Sequence, residues 1–423
     1  MVWILLLGLS LRLISLNQSL WLDEAFQYKA TALFSLKQLL TVYLPGDFNP
    51  PLSYLVNFFV GKLFGYSEII LRLPSVIFGL LTIWLVSKLS KKNLWPALLL
   101  ATSGLHIYYS QEARMYSLAC MAVVASFYFF QKKRWFWYAI FSLMAIYSHY
   151  LTVFIFPAQL LLTKRKDLKN LVISWVIIAL GFLPWLPIFF KQLSAGQTTA
   201  GTGWGNVVGG LSLKALMLIP IKFLIGRIAP ANDQLYLLII IIPLLLTAWV
   251  LYKSTLSYKK NLFFLSWLLI PLFLIVLVSF KLPVLAYFRL LFLLPAFYLL
   301  ITKVASKKIL IAFLVINLIS SAVYLFNPAF HREDWKSLTK TLSQVNQPTV
   351  IIPAVNAALK YYSPLGNILT TETVPEENFW YIPYAEPIFD PQLQFRSQVI
   401  TAGFKESSVQ NFRGNLTLIQ YTQ

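Results

Sequence analysis

A single cysteine, three histidines and a charged fraction of only 12% set this 423-residue chain apart. Cys120 stands alone inside an apolar run, so neither an intrachain disulfide nor a thiolate metal framework can form. Soluble domains carry about 25% charged residues. A chain this far below that, with 58% hydrophobic residues, is a membrane protein. Acids are scarcer still, 15 against 35 Lys and Arg. The apolar runs also lack the alternation of a lipid-facing β-strand. They are continuous, which leaves helices, the elements that satisfy their own backbone in lipid. Internal repeats are absent.

The net charge of +20 raises the question of a nucleic-acid partner. Its distribution answers it. Residues 1–326 hold 28 Lys and Arg against 7 Asp and Glu, whereas 327–423 hold 7 against 8. The excess therefore belongs to the membrane part, where basic loops set topology, and no nucleic-acid partner is implied. Basic clusters fall on every second loop: Lys88/Lys91/Lys92, Lys132/Lys133/Arg134, Lys164/Arg165/Lys166/Lys169, Lys253/Lys259/Lys260 and Lys303/Lys307/Lys308. Between them the expected spans are 2–16, 70–87, 94–109, 115–131, 135–149, 151–163, 171–190, 235–252, 262–280, 288–302 and 309–326. That is a polytopic α-helical membrane protein with about 11 spans, N-terminus inside and C-terminus outside. Several windows are shorter than the roughly 20 residues of a full span. Residues 2–16 have no basic segment before them and are interrupted by Arg12, so they read as a retained span rather than a signal peptide.

On this topology Asp167 alone is cytoplasmic, while Asp23, Glu24, Asp47, Glu68, Glu112 and Asp233 gather on the outer side. Carboxylates contribute little to topology, so the clustering calls for another cause. Solvated loops would suffice for Asp47 and Asp233, and Asp47→Asn should be tolerable. The first outer loop, about 17–72, carries two amphipathic segments, 30–42 and 51–64, that read as interfacial helices, with Pro51 in a first turn. A later outer loop opens with GQTTAGTGWGNVVGG, flexible by composition, followed by an interfacial or re-entrant piece over 211–228. From Asn327 the composition changes to that of a small outer α/β unit, 327–423. HREDWKSLTKTLSQ and NAALKYY read as its helices, and QPTVIIPAV, FWYIPY and NLTLIQYT as its strands.

Eight polar residues fall at the outer ends of spans: Asp23, Glu24, Arg72, Glu112, Arg114, Tyr116, His149 and Arg289. Ionisable groups near hydrocarbon are costly and mark functional sites. A cleft with carboxylates and guanidinium groups at headgroup level suits a lipid-borne anionic substrate. Arginine pairs with phosphate and stabilises its developing charge, and a carboxylate can take the proton of an attacking hydroxyl. Plainer roles remain open for each. Asp23 and Glu24 would also suit a helix N-terminus, Arg72 and Arg114 could snorkel, and Glu112 could pair with either arginine. His149 would serve as an interfacial histidine, Tyr116 and Trp21 as aromatic-belt residues.

LWLDEAF (20–26), NPPLSYL (49–55), LFGYSEIILRLPSVIFG (63–79), YYSQEARMYSL (108–118), YSHY (147–150) and REDW (332–335) occur in that order. Together they resemble the bacterial protein O-mannosyltransferases and aminoarabinose transferases, the GT-C glycosyltransferases, closely over the first 160 residues and by architecture beyond. The resemblance implies a GT-C fold and an inverting, hexosyl- or mannosyl-type transferase of the cell membrane, working on the outer face. Its donor would be a polyprenyl-phosphate-linked sugar and its acceptor a lipid, glycan or protein hydroxyl. It places the catalytic carboxylate at Asp23, with Glu24 beside it, and the donor phosphate at Arg114; His149 and Arg289 match less fully. Some relatives bind a divalent metal here, which leaves Glu112 and His149 as possible ligands. The competing class is a lipid or lipid-linked sugar transporter without bond chemistry. Transporters tend to show paired repeats and mid-membrane charges, neither of which is seen here.

Overall fold

The structure is a computed structural model and describes every residue except 92, 201–209, 230–232, 346 and 365. The chain begins with α1 (Val2–Leu13), α2 (Leu22–Leu33), α3 (Leu36–Gln38), α4 (Leu52–Phe64) and α5 (Glu68–Leu89). It continues through α6 (Trp95–Ala101), α7 (Gly104–Ser110), α8 (Tyr116–Gln131), α9 (Trp135–Ser148), α10 (Ile155–Leu161), α11 (Leu168–Phe182) and α12 (Leu186–Ala200). Then come α13 (Leu213–Ile225), α14 (Asp233–Leu256), α15 (Tyr258–Val278), α16 (Leu294–Val304) and α17 (Lys307–Phe326).

Among the described residues six helical stretches are long and apolar enough to cross a bilayer: Glu68–Leu89, Arg165–Thr198, Ile239–Leu256, Tyr258–Val278, Tyr287–Val304 and Lys307–Phe326. Large apolar side chains such as Leu180, Leu245, Phe273 and Ile319 face outward from them, as lipid contact requires. This is a multi-pass membrane protein. Each of the six answers one expected window. Windows 2–16, 115–131, 135–149 and 151–163 hold apolar helices shorter than 18 residues.

The window 94–109 is two seven-residue helices, α6 and α7, parted at Thr102 and Ser103. A break inside an apolar layer frees backbone carbonyls, and side chains from two other helices take them up. Asn317 Nδ2 donates to Leu99 O at 2.8 Å, Arg12 Nη1 to Ala101 O at 3.2 Å and Ser321 Oγ to Thr102 O at 2.6 Å. Arg12 is thereby accommodated in a span, its Nη2 donating to His106 Nδ1 at 2.6 Å. Gly226 packs on this break with φ +65°, and a Cβ there would lie 3.0 Å from the backbone of Gly104 and Leu105.

In the first long loop, 30–42 is not one helix. Phe34 is extended, and Ser35 starts a new turn with a capping box to Gln38. Pro51 caps α4 rather than entering it. The Gly/Thr stretch is helical as far as Ala200, while 201–209 and Lys92 lie outside the described residues. The second half of α13 is buried from Ile221 to Ile225.

After Phe326 the chain forms α18 (Trp335–Leu342), α19 (Ala357–Tyr362), α20 (Glu386–Phe389) and α21 (Gln394–Thr401) around a five-stranded sheet. Its strands are β1 (Thr349–Ile351), β2 (Ile368–Thr370), β3 (Phe379–Ile382), β4 (Lys405–Phe412) and β5 (Leu416–Thr422), in the order β2-β1-β3-β5-β4. β1 runs parallel to β2 and β3, and β5 antiparallel to β3 and β4. β1 and β3 are buried throughout, as strands covered on both faces should be. One apolar cluster joins Trp335, Leu338, Ile351 and Trp380 of this unit to Leu20, Leu22 and Ala25 at the start of α2. Polar ties reinforce the seam: Leu20 N–H donates to Tyr362 Oη at 2.7 Å, and Lys336 Nζ pairs with Glu68 at 2.9 Å. The C-terminal sheet is thus welded to the loop that carries the two consecutive acids.

Candidate active site

Asp23 and Glu24 occupy the first turn of α2, where unsatisfied N–H groups favour carboxylates. Neighbours in a helix point about 100° apart, so the two acids cannot serve one purpose. Glu24 turns into the protein and is fully buried. Arg72 grips it as a fork, Nε to Oε1 at 2.8 Å and Nη2 to Oε2 at 2.5 Å. Ala113 N–H adds a bond at 2.8 Å and Arg332 Nε lies 3.4 Å away. Burial alone would raise the Glu24 carboxyl, but Arg72 and Arg332 bring it below the ordinary range.

Arg72 has no donor to spare. Its Nη1 bonds Leu16 O and Gln18 O at 2.8 and 2.7 Å, and its Nη2 also bonds Ser19 O at 2.9 Å. All five N–H groups are used. The expectation that Glu24 is catalytic and Arg72 binds phosphate is therefore corrected. A phosphate ligand needs a free donor and Arg72 has none, while a base must reach its substrate and Glu24 is sealed from it by complete burial under Arg72.

Asp23 faces the other way, with its side chain 34% exposed. Opposite it stands Arg114, Nη2 to Oδ2 at 3.5 Å. Arg114 belongs to the 111–115 link between α7 and α8, which is held at both ends. Gln111 Nε2 caps the end of α1 through Arg12 O and Ile14 O at 3.0 and 2.7 Å, Tyr324 Oη donates to Gln111 Oε1 at 2.9 Å, and Ala113 is fastened to Glu24. The guanidinium itself is loosely engaged. Its side chain is 7% exposed, its nearest acceptors are Asp23 and Tyr54 Oη, both at 3.5 Å, and its Nε has no partner. Burial, the largest influence, raises the Asp23 carboxyl; Arg114 opposes it and Asp47 adds to it.

Arg289 lies on the tight turn Tyr287–Leu293, with Nη1 on Pro283 O at 2.9 Å and its guanidinium 5.6 Å from the Phe288 ring. It is close enough to pull the Asp23 carboxyl down. Tyr116 packs between Tyr109, Phe288 and His149, with ring centroids 5.1, 5.5 and 6.1 Å away. Asp23, Arg114, Tyr116, His149 and Arg289 therefore lie close to one another.

Glu112 is buried beside them and pairs with neither Arg114 nor Arg72. Its partner is Arg332, Nη2 to Oε2 at 3.4 Å, and Oε1 has none. Burial pushes its carboxyl up to about 7. Metal ligation fits these residues poorly. Glu112 faces an arginine, His149 Nδ1 accepts Leu151 N–H at 3.3 Å, and no third ligand joins them among the described residues.

Sequence reasoning missed several neighbours. Asp47, read as solvated, is half-buried and accepts Tyr54 O–H. Arg332 and Glu333 come from REDW, a motif whose side chains had been given no role. Arg332 lies 4.5 Å and Arg227 4.6 Å from the Tyr108 ring. Glu333 accepts Tyr384 Oη–H at 2.7 Å and sits within electrostatic range of Asp23. Their signal was adjacency to motifs already noticed; Arg227 offered none.

No family model and no curated protein matches the chain. Several solved structures are similar to it, two of them as follows. ArnT from Cupriavidus metallidurans in the apo state is 11% identical, with 99% of this chain and 97% of that chain covered at a TM-score of 0.48. ArnT from the same organism bound to undecaprenyl phosphate gives 11% identity, the same coverage of both chains and a TM-score of 0.46.

Proposed function

We propose that the chain is an integral-membrane glycosyltransferase that moves a sugar from a polyprenyl-phosphate carrier to an acceptor hydroxyl, with inversion, on the extracytoplasmic face. The observation that carries the reading is the contrast inside one cleft: a partly exposed carboxylate, Asp23, faces a buried arginine whose donors are under-used. A buried guanidinium left with long contacts invites an anionic oxygen. The motif resemblance supplies the substrate class, a hexosyl unit on a lipid phosphate.

In this mechanism the acceptor oxygen attacks the anomeric carbon and its proton passes to Asp23. The bond from that carbon to the phosphate oxygen breaks with its electron pair, and Arg114 and Arg289 stabilise the departing polyprenyl phosphate. A raised carboxyl pKa makes Asp23 a better base than an ordinary aspartate, provided it stays ionised. His149 and Tyr116 wall the cleft where the sugar would lie.

The test is release of free polyprenyl phosphate from a labelled lipid-linked sugar by purified protein. Asp23→Asn should lower transfer about 10²- to 10⁴-fold, the usual worth of a general base. Transfer at near wild-type rate by that variant overturns the mechanism. Movement of the lipid with no phosphate released overturns the enzyme class.

A further inference from the structure

We propose that Asp47, Tyr54 and the polar face of α4 are positioning residues for Arg114. The inference rests on the glycosyltransferase reading and adds residues to it. The buried face of α4 carries Ser53, Tyr54 and Asn57 together with Phe58 and Gly61, while Phe59, Lys62 and Leu63 point outward. Three uncharged polar side chains thus face the protein interior, and the guanidinium lies beside them.

The contacts form a directed chain. Asp47 Oδ1 is committed to two donors of its own loop, Phe48 N–H and Asn49 Nδ2 at 3.0 Å. Oδ2 takes the hydroxyl proton of Tyr54. A carboxylate only accepts, so the Tyr54 O–H must point at Asp47 and its lone pairs turn toward Arg114 Nη1, 3.5 Å away. The loop is itself fixed. Gln192 Nε2 donates to Leu44 O at 2.7 Å and Asn49 O at 2.9 Å, Tyr150 Oη bonds Gln192 Oε1, and Trp185 Nε1 donates to Tyr150 Oη at 2.8 Å.

Behind the guanidinium lies a cavity of about 10 Å³, edged by Ser53, Asn57, Ser75 and Arg114, with Phe78 and Leu118 on its apolar side. That is the room of one water. Arg114 Nε and Ser53 Oγ, both buried without another partner, are suitable ligands for it. α4 thus meets the guanidinium through Tyr54 at Nη1, leaving Nη2 toward Asp23.

Near-isosteric Asp47→Asn is the informative variant. Its carbonyl oxygen must stay where the two loop donors are, so its NH₂ faces Tyr54. The hydroxyl then accepts from Asn, and its proton is free to turn on Arg114. Tyr54→Phe removes the acceptor outright. Both should weaken binding of polyprenyl phosphate to the full-length protein in detergent about tenfold, the scale of one hydrogen bond to a charged group. Their melting temperatures should stay near wild type. In an Arg114→Gln background neither should change affinity by more than about twofold, because the group they act through is gone.

Unchanged affinity in both single variants, or the same tenfold loss in the Arg114→Gln background, overturns the inference and leaves the glycosyltransferase reading standing. If Arg114→Gln itself binds polyprenyl phosphate as wild type does, the phosphate role of Arg114 fails and the inference fails with it. Should Arg114→Gln not fold, Arg114→Lys keeps the charge, loses the fork, and serves as the background.

Discussion

Two carboxylate–arginine pairs begin at adjacent residues of α2, and they are built in opposite ways. Glu24–Arg72 is closed: each oxygen and each N–H is used, the distances run from 2.5 to 2.9 Å, and neither side chain meets solvent. Asp23–Arg114 is open: a single contact of 3.5 Å, a carboxylate one-third exposed and an arginine with an idle Nε. The closed pair has no capacity left for a ligand, while the open pair has spare donors beside a base. In the proposed mechanism the chemistry belongs to the unsaturated pair, and the saturated one fixes the frame that presents it.

The sharpest way to break this contrast is to exchange the symptoms. Asp23→Asn should abolish transfer, by two to four orders of magnitude, while leaving thermal stability unchanged or slightly higher, since a carboxylate disfavoured by burial is removed. Glu24→Gln should do the reverse and cost stability first. Removing one partner of a buried ion pair costs about 3 to 5 kcal/mol because the other charge is left uncompensated. Melting in detergent should register it as a large downward shift or loss of folded protein. Replacing the pair together, Glu24→Leu with Arg72→Met, should not restore stability. Three backbone carbonyls, Leu16, Gln18 and Ser19, would still lose the donors that Arg72 gives them. Wild-type melting in the double variant would show that the closed pair is dispensable to the frame.

Next in size is the acid limb of activity. The proposed mechanism requires ionised Asp23, whose carboxyl is raised by burial and held down by Arg114. The rate should therefore fall with decreasing pH through a midpoint above the ordinary aspartate value of about 3.9. Residual activity of Arg114→Lys should show that midpoint unmoved, since the charge is kept, whereas Arg114→Gln should move it to higher pH. A pH–rate profile indifferent to the charge at residue 114 would uncouple the two members of the open pair.

Much of this was legible in the sequence. Continuous apolar runs identified six spanning helices within their windows, and the structure brings Asp23, Arg114, Tyr116, His149 and Arg289 near one another. The motif resemblance singled out Asp23, but that Glu24 is sealed off was not legible, because both are carboxylates and only helical phase and the five hydrogen bonds of Arg72 separate them. That 94–109 is not one continuous helix was hidden because Ser103 and Gly104 break a helix without changing hydropathy. The compensating donors come from Asn317 and Ser321, over 200 residues away. Asp47 looked like a solvated loop residue since its partner Tyr54 sits on a helix judged only by its apolar stripe. Arg227 and Arg332 meet over one tyrosine ring by tertiary packing alone, which no local pattern announces.

The smallest effect expected concerns Glu112, which is neither closed like Glu24 nor open to the cleft like Asp23. Its carboxyl rises from 4.5 to about 7 in the folded protein. Because the folded state holds this proton more tightly than the unfolded chain, Glu112 stabilises the fold at low pH, and that contribution is lost as pH rises from about 4.5 through about 7. Glu24 has the opposite sign: its lowered carboxyl contributes stability that is complete above the unfolded value and fades only as pH falls below it. Between pH 5 and 7.5 Glu24 is therefore constant, and because histidines and Glu333 titrate there as well, it is the difference in slope between wild type and a Glu112 variant that reports Glu112. Glu112→Gln keeps an acceptor for Arg332 and removes the titration. Its melting temperature should decline less than that of wild type across that interval, by a few degrees at most, and an identical slope in both proteins would mean that Glu112 is already ionised throughout.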